Sequence, residues 1–275
     1  MEKVVLLTVL ILECIAGPLI QQQSPSRGQS SQLLTTAYAV DISTKVPYSA
    51  FQCIYQNTYK LAFIRAYYPY NQGEVDPNVT ENIFSAESAG LGIEAYMVPQ
   101  PKSNKSGSVQ FDEMVNNLEM RFIDLNSVWI QVTKPSNWFP TPKANINFLN
   151  DIFIRASLDG MQVGVFTNKD DWTQITNGAK VNNAMLWYWS VEGPGSANMT
   201  QPDFNDFTPF AGWTAPSVKQ FVQSDTICGV TLNRNVYDTS IPVNSLRSKE
   251  KSDRISVGNI GLANTRQIGR PEIKL

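Results

Sequence analysis

Short runs of β-branched and aromatic residues alternate along this chain with stretches whose apolar positions recur at helical spacing. Residues 38–42 and 61–67 have the first character and 49–59 and 80–90 the second. The alternation continues with strand-like 92–98, helical 111–124, strand-like 127–132 and helical 145–158, and Gly160 then marks a turn before a fifth strand over 162–167. Beyond that point the rhythm changes. Residues 184–191, 219–223 and 227–232 read as strands, while the pieces between them are rich in Pro, Gly, Asn and Asp and carry almost no helical period. Eight successive strands with right-handed crossovers predict an α/β fold: an irregular TIM-like (β/α) barrel with a closed parallel sheet. A doubly wound open sheet is the rival that the same pattern permits.

Both ends of the chain depart from this pattern. Lys3 precedes an apolar run over 4–12, and small residues follow at Cys14, Ala16 and Gly17, so residues 1–17 read as a secretory signal peptide. That run is too short for a span of ~20 residues, so a secreted, extracellular protein without a membrane partner is expected. Residues 18–34 are Ser- and Gln-rich and read as a flexible leader, which leaves 35–239 for the barrel domain. Residues 240–275, with seven Lys and Arg against three Asp and Glu, read as a disordered, mildly basic tail. Loss of the signal peptide would remove Cys14 and leave Cys53 and Cys228 as an even pair in an oxidising compartment. Acceptor sequons at Asn78, Asn104 and Asn198 predict glycosylation in the same compartment.

Composition then narrows the chemistry. A chain of 275 residues that is 42% hydrophobic and 17% charged can bury one large core. Its formal net charge of -2 supplies no basic footprint, so no nucleic-acid partner is expected. The absence of histidine removes the commonest metal ligand and the usual base of a catalytic triad. No metal, no cofactor and a monomeric state are expected.

Several segments resemble, in order, the lysozymes of glycoside hydrolase family 25 of the nematode and amoebal type. They include Tyr38-Ala39-Val40-Asp41-Ile42-Ser43, Ser49-Ala50-Phe51-Gln52-Cys53, Ile64-Arg65-Ala66-Tyr67 and Glu94-Ala95-Tyr96-Met97-Val98-Pro99. Leu186-Trp187-Tyr188, Gly212-Trp213, Lys219-Gln220-Phe221 and Cys228-Gly229-Val230 continue the series. The resemblance covers 38 to about 237 and implies an irregular barrel of eight strands and about five helices. It also implies that Cys53, after the first strand, meets Cys228, placed at the start of the eighth, because barrel closure makes those strands neighbours. The further cysteines of the family are replaced here by Pro99-Gln100-Pro101-Lys102.

Glycoside hydrolysis requires a carboxylic acid to protonate the leaving oxygen and a second group to hold the developing positive charge or to activate water. The resemblance places these acids at a Trp-x-Asp-x-Glu pattern ending the fourth strand, and this chain has Trp129-Ile130-Gln131-Val132-Thr133 there. On the eighth strand an acid is replaced by Asn233, in Leu232-Asn233-Arg234-Asn235, so Asp41 is the one family acid retained. Gln131 can hydrogen-bond a sugar but cannot protonate an alkoxide, and Thr133 is no stronger an acid. Asp41 then either braces the first strand or contacts ligand. Two acids stand as candidate replacements: Glu94, expected to face the barrel interior and pair with Arg65, and Glu192, beyond the sixth strand. Flat rings stack on sugars, so Tyr96, Trp138 and Tyr188 are candidate cleft residues beside Arg65 and Gln131. The function implied is a secreted, catalytically inactive lysozyme-like binder of peptidoglycan or related amino-sugar glycans in innate defence. A muramidase using relocated acids is the alternative.

Overall fold

A computed structural model describes residues 36–240, 253–258, 260 and 269–274. Eight strands form the central sheet: β1 (Thr36–Ile42), β2 (Leu61–Tyr68), β3 (Gly92–Met97), β4 (Ser127–Gln131), β5 (Gln162–Thr167), β6 (Met185–Trp189), β7 (Val218–Ile227) and β8 (Val230–Asp238). Five helices accompany them: α1 (Tyr48–Gln56), α2 (Val79–Ser88), α3 (Gly107–Glu119), α4 (Pro142–Leu158) and α5 (Lys169–Thr176). The strands follow one another around the sheet and β1 pairs with both β2 and β8, so the sheet closes and the open-sheet rival is excluded.

The expected all-parallel barrel is corrected at its seam. Strands β1 to β7 run parallel, but β8 is antiparallel to both β7 and β1. The cause is the length of the connection: only Cys228 and Gly229 separate β7 from β8, both with positive φ, at 55° and 75°. Two such residues make a hairpin turn whose twist suits antiparallel strands, whereas a parallel pair needs a long crossover. Cys228 therefore sits in the turn rather than in β8. Its sulfur bonds Cys53 on α1, with Cα atoms 5.9 Å apart, and closes a loop of 175 residues. A crosslink of that span stabilises the fold by about 2–5 kcal/mol, chiefly by restricting the unfolded chain.

Strand parity divides the apolar residues into two layers. Val40, Ile64, Ile93, Ile130 and Val165 face outward against Phe51, Ile83, Phe111, Leu149 and Trp172 of the helices. Leu61, Phe63, Tyr96, Trp129, Phe166 and Trp187 fill the interior. Room for Trp129 comes from Gly164 on the neighbouring strand, where a Cβ would lie 2.1 Å from the indole. Trp129, Phe63 and Trp187 then pack as a connected aromatic plug, so the barrel is filled rather than hollow.

Two short pieces of the tail read as disordered are paired with the barrel domain. Ile255–Val257 pairs in parallel with the short strand Ile123–Leu125, and Glu272–Lys274 pairs antiparallel with Lys180–Asn182. Gly258 N–H donates to Ile93 O at 2.9 Å, and Ile260 is buried in the barrel interior, where its N–H donates to Glu94 Oε1 at 2.8 Å. These segments are too short, with too few apolar residues each, to produce a period. Residues 1–17 and 18–34, read above as signal peptide and leader, and the rest of the tail lie outside the described residues.

Candidate functional site

Chemistry in a (β/α) barrel gathers at the carboxyl ends of the strands. There Asp41, the inward residue near the end of β1, is ringed by carboxamides. Asn233 Nδ2 donates to its Oδ1 at 2.7 Å, while Gln220 Nε2 and Asn235 Nδ2 donate to its Oδ2 at 2.7 and 2.8 Å. Each amide is itself oriented, since Trp187 Nε1 donates to Asn235 Oδ1, Ser224 N–H to Asn233 Oδ1, and Gln223 Nε2 to Gln220 Oε1. With their oxygens occupied, all three amides present N–H to the carboxyl. Burial raises the Asp41 pKa, and the three donors oppose the rise without cancelling it. Asp41 is thus a brace that joins β1 to β7 and β8 at the floor of the mouth.

The end of β4 has no acid. Gln131 Nε2 donates to Thr133 Oγ1 at 2.9 Å, and both side chains are half-buried. Beyond them Lys134 takes a left-handed conformation and turns the chain. Trp138 does not line the mouth as expected. Its Nε1 donates to Thr133 O at 3.0 Å and its ring packs edge-on against Phe148, which pins this loop to α4.

Arg65 and Tyr96 do meet near Asp41. Tyr96 hydroxyl donates to Ile42 O at 3.4 Å and its ring stands edge-on to Trp187; burial, then the nearby Asp41 charge, raises its pKa. Arg65 donates to Ser43 O at 2.6 Å and to Asp76 Oδ2 at 2.7 Å, so its partner is Asp76 and the expected pairing with Glu94 is corrected. Glu94 lies one pleat deeper, fully buried, accepting from Ser127 Oγ, Trp129 Nε1 and Ile260 N–H. Glu192 is an exposed loop residue.

Tyr188 also departs from expectation. It faces the outer layer, packs against Phe204 and Phe207, and donates to Asp206 Oδ1 at 2.6 Å; Lys219, fully buried, donates to the same oxygen at 2.9 Å. Burial favours protonation of Asp206, but these two donors outweigh it and lower its pKa. The aromatic residue on the inner side is the next one, Trp189, which packs against the barrel interior. Its Nε1 donates to Asp171 Oδ2 at 3.2 Å. Asp171, a residue that sequence reasoning missed, sits in the first turn of α5, where Asn168 caps its N–H. Burial raises its pKa against the opposing bonds from Trp189 and the Lys134 backbone, so it ties the β4 loop to the end of β6. A capping pattern at Asn168-Lys169-Asp170-Asp171 and the inward parity of Trp187 were the available signals.

Among the sequons, Asn104 is exposed, whereas Asn78 and Asn198 are half-buried and Asn198 Nδ2 donates to Pro194 O at 2.8 Å. Among the described residues no three His, Cys, Asp or Glu side chains converge as a metal site, and no helix is long and apolar enough to cross a membrane.

The closed, mixed barrel is shared by solved lysozyme and muramidase structures. The family GH25 lysozyme from Aspergillus fumigatus superposes with a TM-score of 0.55 at 14% identity, over 78% of this chain and 98% of that one. The muramidase from Trichobolus zukalii superposes with a TM-score of 0.54 at 17% identity, over 74% and 95%. The fold is that of glycoside hydrolase family 25. In sequence, the family model described as Lysozyme-like protein 1 matches residues 32–221. Lysozyme-like protein 7 of Caenorhabditis elegans is 45% identical over 236 residues, covering 85% of this chain and 82% of the relative. Probable GH family 25 lysozyme 2 of Dictyostelium discoideum is 31% identical over 208 residues, covering 75% and 93%. This chain belongs to the lysozyme-like proteins of glycoside hydrolase family 25.

Proposed function

We propose that this protein is an exported lysozyme-like pseudoenzyme that binds peptidoglycan-type amino-sugar glycans at the barrel mouth without cleaving them. The observation that carries this reading is the amide ring around Asp41. With three N–H donors aimed at the carboxyl and Gln131 beside Thr133 at the end of β4, the mouth is furnished to accept and donate neutral hydrogen bonds. Among the described residues, Asp41 is committed to three amides and Asp171 to Trp189, so neither is free to protonate a departing sugar oxygen, a step worth ~10²–10⁴ in rate. The relocated-acid alternative loses support from the placement of its candidates: Glu94 lies beneath Trp129 and Glu192 on an exposed loop.

Export is supported by the signal-like residues 1–17 and the Cys53–Cys228 bridge, a bond that persists in oxidising compartments. The test is one purified preparation in two assays. Sedimentation with insoluble peptidoglycan is expected to deplete the protein from solution, while turbidity of a cell-wall suspension stays constant. Muropeptide release at rates typical of lysozymes would overturn the inactive half of the reading, and failure to co-sediment would overturn the binding half.

A further inference from the structure

We propose that the hairpin after β2 carries an aromatic shelf, Tyr68 and Tyr70, that takes a sugar ring of the glycan beyond the Asp41 mouth. This inference rests on the glycan-binding reading above and names a second point of contact for it.

The shelf is created by an irregularity in β2. Arg65 pairs with Tyr96 and Tyr67 with Met97, with a register shift between them, so Ala66 is an extra residue. Ala66 and Tyr67 both turn to the outer core, and Tyr68 returns to the side of Arg65, whose guanidinium carbon lies 5.1 Å from the Tyr68 ring centre. Tyr70 continues the line: its ring is parallel to Tyr68 within 9°, with centroids 5.9 Å apart, and it is 58% exposed. Arg65 also bonds Ser43 O, two residues past Asp41. Arg65, Tyr68 and Tyr70 thus lead without interruption from the floor of the mouth to solvent.

A solitary exposed tyrosine needs no explanation. The backbone that carries this one is held in place. Gly73 N–H donates to Tyr70 O at 2.7 Å, Gln100 Nε2 to Pro69 O at 3.1 Å, and Lys105 Nζ to Gly73 O at 2.8 Å. Asn104 N–H donates to Gln72 Oε1 at 2.7 Å, and the Tyr68 hydroxyl bonds Glu74 in the two-residue strand Glu74–Val75, which pairs antiparallel with β2. Gly73, at φ 81°, leaves no space for a Cβ, which would meet Tyr67 at 2.9 Å. The hairpin tip is therefore clamped to the β3–α3 loop, and little ordering cost remains to be met on binding. A flat ring carried on a fixed backbone matches the apolar C–H face of a pyranose, while its phenolic edge and the exposed Asn71 amide suit the hydroxyls.

The test uses the full chain and titration calorimetry with N-acetylglucosamine oligomers of two and six units. The wild-type protein is expected to bind the longer oligomer more tightly. Tyr70→Ala is expected to weaken the longer one about fivefold and leave the shorter unchanged, with Tyr70→Trp retaining the difference. If the wild-type protein binds both oligomers and Tyr70→Ala binds the longer one equally well, the shelf is refuted while the mouth reading stands. If the wild-type protein binds neither oligomer, both readings fail together.

Discussion

Asn233 donates its side-chain amide to Asp41 Oδ1 across the β1–β8 seam, 2.7 Å away and 192 residues distant in sequence. Two carboxylates at this separation would repel, and one of them would hold its proton near neutrality. An amide there cannot titrate. Its oxygen is committed to Ser224 N–H, so it offers Asp41 only a donor, and the pair becomes a strut of the barrel seam.

That strut has a pH signature. Burial leaves the folded-state pKa of Asp41 above its ordinary value of 3.8, so between those two values the folded chain binds more protons than the unfolded one. The Asp41 contribution to stability must therefore increase as pH falls through its raised folded pKa toward 3.8, and level off below that. Asp41→Asn has no such dependence. Urea unfolding of both proteins between neutrality and acid is expected to show wild type gaining on the variant as pH drops; parallel curves would remove the raised pKa from the account.

Gly164→Ala is expected to destabilise the protein by about 3 kcal/mol, at the upper end of what overpacking costs. The added methyl would fall 2.1 Å from Trp129 Cε3, and Trp129 cannot retreat because Phe63 and Trp187 pack against it and its Nε1 is bonded to Glu94. Denaturant midpoints measure this directly. A variant as stable as wild type would mean that the interior is looser than its ring contacts imply.

The parts legible in the sequence were those with a period. Strands β1 to β6 fall close to where the alternation placed them, because each buries both faces or one complete face. Strands β7 and β8 were shortened by polar residues such as Gln223, Ser224 and Asp225, which lie in a stretch of shifted register where inward and outward no longer alternate. The positions where the resemblance places acids were legible one residue at a time, as Gln131, Thr133 and Asn233. The ring of three amides was not, since Gln220 and Asn235 reach Asp41 only through pairing that links distant strands. Tyr188 was a parity error: Trp187 faces inward, so Trp189 does too.

Ile260→Ala is expected to cost about 2–4 kcal/mol, the range for truncating a buried aliphatic side chain. Ile260 is fully buried within the interior layer, and its backbone N–H bonds a carboxylate oxygen of Glu94, whose other oxygen accepts from Ser127 and Trp129. The loss should appear in thermal unfolding. No change would return the segment to the status of a dispensable tail.

Restoring acids is the strongest test of what the mouth lacks. Gln131 and Thr133 are two residues apart and already within 2.9 Å of each other, so Gln131→Asp with Thr133→Glu would set two carboxyls side by side at the end of β4. Their mutual repulsion raises the pKa of one, which is the condition a proton donor at neutral pH needs. Adding Asn233→Asp completes the acidic set around Asp41. The triple variant is expected to clear a cell-wall suspension that the parent leaves turbid, and Asn233→Asp alone to remain inert, because the groups act as a unit. A triple variant that folds and still co-sediments with peptidoglycan, yet leaves turbidity flat, would mean that the geometry of cleavage has been lost along with its protons.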